Sequence, residues 1–124
     1  MSHESIKPQK LTIIASQSGA PQGFKYENSV PFEMPDQATL ASIGLQCQNI
    51  PVGTIIGFSC PQPGPNPPIY LAPTVVPVPN FSPAIQSEMP AGFKGTLDYY
   101  AYFQQEPPLN ASINAFIAIW GGDQ

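Results

Sequence analysis

The clearest pattern of hydrophobic and polar positions lies in the last third of the chain, where two runs alternate strictly. In residues 96–103 one face carries Leu97, Tyr99, Ala101 and Phe103. In residues 111–120 the corresponding face carries Ala111, Ile113, Ala115, Ile117 and Ile119. A period of two residues predicts β-strands. Residues 104–110 join the two runs through a Pro-Pro pair, so we expect one long C-terminal hairpin with its aliphatic face in the core.

A helical interpretation of the second run is the alternative. It would place Leu109, Ile113, Phe116 and Trp120 on one side of a helix. Elsewhere in the chain proline and glycine interrupt every stretch within about ten residues, which suits short strands and turns. This context favours the strand.

Residues 38–47 and 52–60 form a second predicted hairpin, turning on Pro51 and Val52. In that register Cys47 lies across from Ile56, and Cys60 lies about 13 Å farther along the strand, beyond the roughly 7 Å that a disulfide allows. The two cysteines are then free and buried. A turn at another position would allow the bridge.

Residues 61–79 contain eight prolines. Each proline removes a backbone donor and fixes φ, so this segment cannot be a central strand. We expect an extended, polyproline-like ribbon along the domain edge or reaching a neighbour. Its P-x-x-P match at residues 65–68 lacks a flanking cation, and a structural ribbon is the better interpretation.

These patterns predict an all-β fold, a single-domain antiparallel β-sandwich or jelly-roll with a proline-rich extended segment. The 124 residues suffice for one domain and are too few for two. We assign residues 1–9 to a flexible N-terminal arm and residues 10–124 to the β domain, with the ribbon 61–79 inside it.

Charge excludes several classes of function. Four lysines, no arginine and eight carboxylates give a net charge of −4, which cannot neutralise a nucleic-acid backbone. The chain has no apolar run of membrane-spanning length, and residues 1–9 lack the apolar core of a secretory signal. We therefore expect no nucleic acid and no membrane insertion, with cytoplasmic synthesis followed by incorporation into a particle or by leaderless export.

Candidate catalytic and metal-ligating residues are scarce. The single histidine, His3, lies in the predicted arm, where a general base is hard to hold in place. The carboxylates show no paired spacing within one strand, and no nucleophile or phosphate-loop motif occurs. Two cysteines 13 residues apart do not make a zinc site. We expect no enzyme activity, no metal and no cofactor.

One surface has the composition of a binding site. On the predicted C-terminal hairpin the outward face carries Tyr100, Tyr102, Asn114, Phe116 and Trp120. Tyr100 would lie across from Asn114, Asp98 across from Phe116, and Lys94 near Trp120. Aromatic rings mixed with amides and hydroxyls suit sugar recognition, and they equally suit a subunit interface. The third interpretation is an ordinary core face that a second sheet covers.

Low charge decides the functional prediction. Only 10% of the residues are charged, whereas a freely diffusing monomer normally keeps a charged, mixed surface. We therefore predict a structural building block that self-assembles, such as a virion decoration, fibre, tail or extracellular filament subunit, whose partners are copies of itself and other virion or surface proteins. The alternative is a small lectin-like protein that binds glycans. An inhibitor presenting the ribbon is a third hypothesis.

Overall fold

The structure, a computed structural model, describes residues 11–36, 40–62, 64–65 and 68–120, so the predicted arm lies outside the described residues. These ranges contain eight strands and no helix. The strands are β1 (Leu11–Gly19), β2 (Lys25–Glu33), β3 (Leu40–Gln48), β4 (Ile55–Cys60), β5 (Ile69–Val75), β6 (Ala84–Glu88), β7 (Lys94–Tyr102) and β8 (Ser112–Trp120). The prediction of an all-β protein is confirmed, and the helical alternative for the last run is excluded.

The strands form two antiparallel sheets with the orders β1-β8-β3-β6 and β2-β7-β4-β5. The pairing is nested, because β4 pairs with β5, β3 with β6, β2 with β7 and β1 with β8. The chain is thus a long double-stranded ribbon with the β4–β5 connection at its tip. Additional pairs, β8 with β3 and β7 with β4, roll this ribbon into a closed pair of sheets. This is the jelly-roll topology, one of the two predicted architectures.

The core lies between the two sheets. The alternation predicted for the last two strands is confirmed, since Leu97, Tyr99 and Ala101 of β7 are buried, as are Ile113, Ala115, Ile117 and Ile119 of β8. They pack with inward residues of β3 and β4 such as Ile43 and Phe58. Each large aliphatic side chain buried in this way contributes about 1.5–3 kcal/mol to folding.

The predicted C-terminal hairpin is wrong, because β7 and β8 lie in opposite sheets. Their aliphatic faces meet across the core instead of lying side by side. A strand buries the same face in either arrangement, so alternation does not reveal its partner. The seven residues 104–110 are long enough to cross the roughly 10 Å between packed sheets.

The predicted hairpin of residues 38–47 and 52–60 is also wrong, because β3 and β4 belong to different sheets. Asn49 turns the chain with a positive φ of 57°. The backbone N–H of Ile50 then donates to Pro79 O (3.1 Å), and that of Gly53 donates to Val76 O (3.0 Å). The proline-rich segment thus provides the hydrogen-bond acceptors for these N–H groups between β3 and β4, and this connection pairs with that segment instead of folding back on β3.

Part of the segment 61–79 is an edge strand. β5 pairs with β4 on one side only, and the register shifts between Ile56↔Thr74 and Phe58↔Leu71. Ala72 and Pro73 therefore stand together opposite Gly57. At this bulge on an edge strand the missing N–H of Pro73 costs no ladder bond. Residues 63, 66 and 67 of the segment lie outside the described ranges.

The two cysteines are free and buried, although not in the predicted register. Cys47 lies across from Ile113 in one sheet, and Cys60 lies across from Ile69 in the other. Burial raises the pKa of each thiol to about 11, and for Cys60 the charge of Asp98 adds to this effect.

We predict that these thiols make the fold sensitive to alkali. An unfolded thiol ionises near pH 8.5–9, whereas the folded protein holds both protons until about pH 11, so their stabilisation is complete below pH 8.5 and is lost as the pH rises. At pH 10 the loss is roughly 1.4–2 kcal/mol for each thiol. Urea unfolding at pH 7 and pH 10 measures it. The Cys47→Ala/Cys60→Ala variant is the control, and an equally steep pH dependence in that variant would contradict the assignment.

Candidate functional site

The structure separates the five predicted site residues onto two opposite faces of the sandwich. Tyr100 and Tyr102 lie on β7, on the outer face of the second sheet, while Asn114, Phe116 and Trp120 lie on β8, on the outer face of the first. The prediction that these side chains share one surface is wrong, because it depended on a β7–β8 hairpin that does not form.

We call the outer face of the second sheet the tyrosine face. Its residues are Lys25, Glu27, Ser29, Ile55, Gly57, Ser59, Tyr70, Asp98, Tyr100 and Tyr102. They form cross-strand rows, in which Tyr100 lies between Glu27 and Gly57, and Asp98 lies between Ser29 and Ser59. These neighbours replace the predicted Asn114 and Phe116.

Gly57 sets the position of Tyr100. A Cβ atom at residue 57 would come within 2.6 Å of the ring carbon Cζ of Tyr100 and even closer to its hydroxyl. Only glycine therefore lets this ring lean across β4 in the observed position. Partial burial raises the pKa of Tyr100, and the ring stays neutral.

Tyr102 supports the other side of the Tyr100 ring. The two rings are stacked, with centroids 4.8 Å apart and planes at 26°. The Tyr102 hydroxyl donates a hydrogen bond to Glu27 Oε2 (3.1 Å), and Lys25 Nζ lies 3.5 Å from the same carboxylate and 5.9 Å from the Tyr102 ring centroid. Tyr102 thus covers one face of the Tyr100 ring, and Tyr100 also lines a groove.

A groove of about 440 Å³ opens beside Tyr100. Tyr70, whose residue surface is 58% exposed, and Pro73 of the bulge line it together with Tyr100. Asp98 and Ser59 line it as well, and Ser29 Oγ donates to Asp98 Oδ1 (2.6 Å). Tyr102 does not line the groove, so it acts as a support for Tyr100.

The electrostatic character of the groove is acidic. Its two ionisable carboxylates are Glu27 and Asp98, and its lining contains no lysine. Lys25, the nearest cation on the tyrosine face, pairs with Glu27 behind the stacked rings. The groove therefore offers hydrogen-bond acceptors, hydroxyl groups and aromatic surface, without a positive charge.

We call the outer face of the first sheet the amide face. Its residues are Ile13, Ser16, Ser18, Leu40, Ser42, Gly44, Gln46, Gln48, Ala84, Gln86, Glu88, Ser112, Asn114, Phe116, Ala118 and Trp120. Asn114 accepts a hydrogen bond from Ser18 Oγ (3.0 Å) and donates to Gln46 Oε1 (3.4 Å). Phe116 leans over Gly44 as Tyr100 leans over Gly57. Glu88 is the one ionisable residue of this set.

Sequence reasoning missed four residues of the tyrosine face that matter for the groove: Glu27, Ser29, Gly57 and Tyr70. Tyr70 falls in the proline-rich segment, whose pairing with β4 has no local signature. Gly57 does carry a signal, because an isolated glycine in a strand often marks a close approach of another group.

No helix in the described ranges is long and apolar enough to cross a membrane. Over the same ranges, no group of three or more His, Cys, Asp or Glu side chains is placed to hold a metal ion.

The chain matches no family model and no curated protein. Among solved structures it is similar to the carbohydrate-binding module TmCBM61 in complex with β-1,4-galactotriose, with 9% identity over 94% of this chain and 89% of that chain and a TM-score of 0.46. It is also similar to the enzymatically active domain of bacteriophage CBA120 tailspike protein 4, with 11% identity and a TM-score of 0.47. That match covers 97% of this chain and spans a fifth of the tailspike domain, 20%. At these identities the likeness concerns the fold alone.

We predict that Glu27 controls the ionisation of Tyr102. The hydrogen bond to Glu27 raises the pKa of the Tyr102 phenol, since it stabilises the protonated form and the carboxylate repels the phenolate. Glu27→Gln should therefore lower this pKa towards the ordinary value near 10. NMR titration of the Tyr102 ring measures the change. Glu33→Gln, on the same strand, is the matched control, and an unchanged pKa in Glu27→Gln would contradict the geometry.

Proposed function

We propose that the protein binds neutral glycans in the groove of the tyrosine face. The observation that carries this proposal is the arrangement of the groove itself. Two tyrosine rings, Tyr100 and Tyr70, line it together with hydroxyl and carboxylate groups. Binding without catalysis is the function proposed, so the expectation that the protein is not an enzyme stays a prediction.

The chemistry of a pyranose suits such a groove. One face of the sugar ring presents C–H groups, which pack on an aromatic side chain, while its rim presents hydroxyl groups that need hydrogen-bond partners. Tyr100 lines the groove, and the Asp98 carboxylate in the same lining has lone pairs beyond the one that Ser29 uses. The volume of about 440 Å³ lies within the usual range of ligand sites, about 300–1,000 Å³.

Pre-organisation supports binding as well. The Tyr100 ring packs closely over Gly57 and stacks on Tyr102, and Ser29 donates a hydrogen bond to Asp98. These groups therefore lose little conformational freedom when a ligand arrives, which favours affinity.

Self-assembly, the first function predicted from the sequence, rested on the low charge of the chain and needs a surface other than the groove. The sandwich offers one, because it has a second outer face. The amide face favours a structural building block as the second proposal, because its single ionisable residue leaves it almost free of the charge that keeps monomers apart. Virion and filament roles belong to that second proposal.

We predict that removing either groove tyrosine weakens glycan binding. Tyr100→Ala and Tyr70→Ala should each lower the affinity about tenfold, since each deletes one stacking surface. A glycan array identifies neutral oligosaccharides that bind, and titration calorimetry then measures the variants. Phe116→Ala, which removes a comparable ring from the amide face, is the matched control and should bind as the unmodified protein does. Absence of binding to every glycan on the array, or equal loss in Phe116→Ala, would overturn the proposal.

We also predict a preference for neutral over acidic glycans. A uronate or sulfate group in the groove would lie near Glu27 and Asp98 and be repelled. Asp98→Asn should lower the affinity for the neutral ligand about tenfold, because a hydrogen bond to a charged group is lost. It should also reduce the difference in affinity between the neutral ligand and its acidic counterpart. Paired neutral and sulfated oligosaccharides measured at low and high salt test this. Tighter binding of the sulfated member would contradict the charge argument while leaving glycan binding itself intact.

A further inference from the structure

The four edge strands of the sandwich differ in how they are protected against pairing with another chain. β2 carries the charge of Lys25 and contains Pro31, which has no backbone donor. β5 contains Pro73 at its bulge. β6 is only five residues long and ends on Glu88. Short length, charge, proline and bulges are the usual protections of a sheet edge.

β1 has the weakest protection of the four. Its nine residues, Leu11–Gly19, include no proline and no charged side chain. A register irregularity lies between Ile13 and Ala15, but residues 15–19 pair regularly with β8. Among the described residues no strand lies on the other side of β1. Ile13, which is 59% exposed, adds an apolar side chain beside this edge.

We infer that two copies of this chain pair through their β1 edges, antiparallel and around a two-fold axis, to form one continuous eight-stranded sheet. Such a pair brings each residue near the axis close to the same residue of the other copy, so a charged residue there would meet a like charge. Ser16, next to the middle of the strand, and Ser18 on the same face are neutral, and their hydroxyls can both donate and accept hydrogen bonds. Two copies of this edge can therefore lie side by side without bringing like charges together.

The size of the contact sets its strength. A single pair of edge strands, with the exposed Ile13 at its border, is a small contact compared with specific interfaces, which bury about 1,000 Å² or more. We expect a dimer that dissociates on dilution.

The symmetry has a consequence for ligand binding, and this consequence rests on the proposed function, whereas the pairing does not. A two-fold axis between antiparallel strands runs perpendicular to their sheet, so the inner faces of both copies point the same way. Both second sheets then lie on one side of the continuous sheet, and both tyrosine faces point outward in the same direction. Two grooves would meet one glycan-bearing surface together, which increases avidity without any new contact.

Sedimentation velocity of the full chain over a hundredfold concentration range tests the pairing and needs no glycan. The unmodified protein should form a dimer at the high end and a monomer at the low end. Ser16→Lys and Ser16→Asp each place like charges at the axis and should raise the dimer dissociation constant about tenfold or more. Mixing the two variants should restore dimers, because lysine then meets aspartate. Restoration also excludes misfolding as the cause of the loss.

Gln86→Lys is the matched control. It places the same charge on the amide face at the opposite edge, on β6. It should dimerise as the unmodified protein does, and equal dissociation would show that the whole amide face, and not the β1 edge, is the interface. A monomer at all concentrations, a dimer unaffected by either Ser16 variant, or a mixture that stays monomeric would overturn the inference. Glycan binding by the monomer would stand in each of these cases.

Discussion

The nested antiparallel pairing of strands is the constraint on which the rest of this structure depends. β7 and β8, the last strands in the sequence, lie in the middle of the two sheets, each between two earlier strands. Among the described residues β1 pairs only with β8, and β2 pairs only with β7, so both edges depend on the strands that come last in the sequence. Both outer faces share this dependence, since the tyrosine face is built around β7 and the amide face around β8.

The sequence predicts which side of a strand is buried much better than it predicts the neighbouring strand. Alternation assigns the inward residues of β7 and β8 correctly, because a half-buried strand has a period of two whatever its partner is. It cannot distinguish a hairpin from two strands facing each other across a core. The site prediction failed at this step. It correctly included Tyr100 and Tyr102, but it placed them on one surface with three residues that lie on the opposite face: Asn114, Phe116 and Trp120. Tyr70 could not be assigned to the site from the sequence, since its pairing depends on a bulge that forms only when β5 pairs with β4.

One local irregularity serves both the fold and the groove. Pro73 can occupy a strand only at an edge and at a bulge, and the bulge places two residues of β5 opposite Gly57. The absence of a side chain at Gly57 then gives Tyr100 its place across β4. A proline-rich segment that is unsuited to a central strand therefore contributes the edge strand whose bulge lines the groove together with Tyr100. The same proline keeps this edge from pairing with another chain, which leaves β1 as the less protected edge.

The scarcity of charge acts differently on the two outer faces. On the tyrosine face the few charges are concentrated, with Lys25 and Glu27 paired behind the stacked rings and Asp98 held by Ser29 in the groove. A charge held in place by a neighbour can orient a ligand, whereas a solvated charge mainly keeps molecules apart. Strand β1 itself carries no charge of either kind, so little electrostatic repulsion along this strand opposes the approach of a second copy. A low-charge chain can thus combine a polar ligand site on one sheet with an edge strand that carries no ionic group.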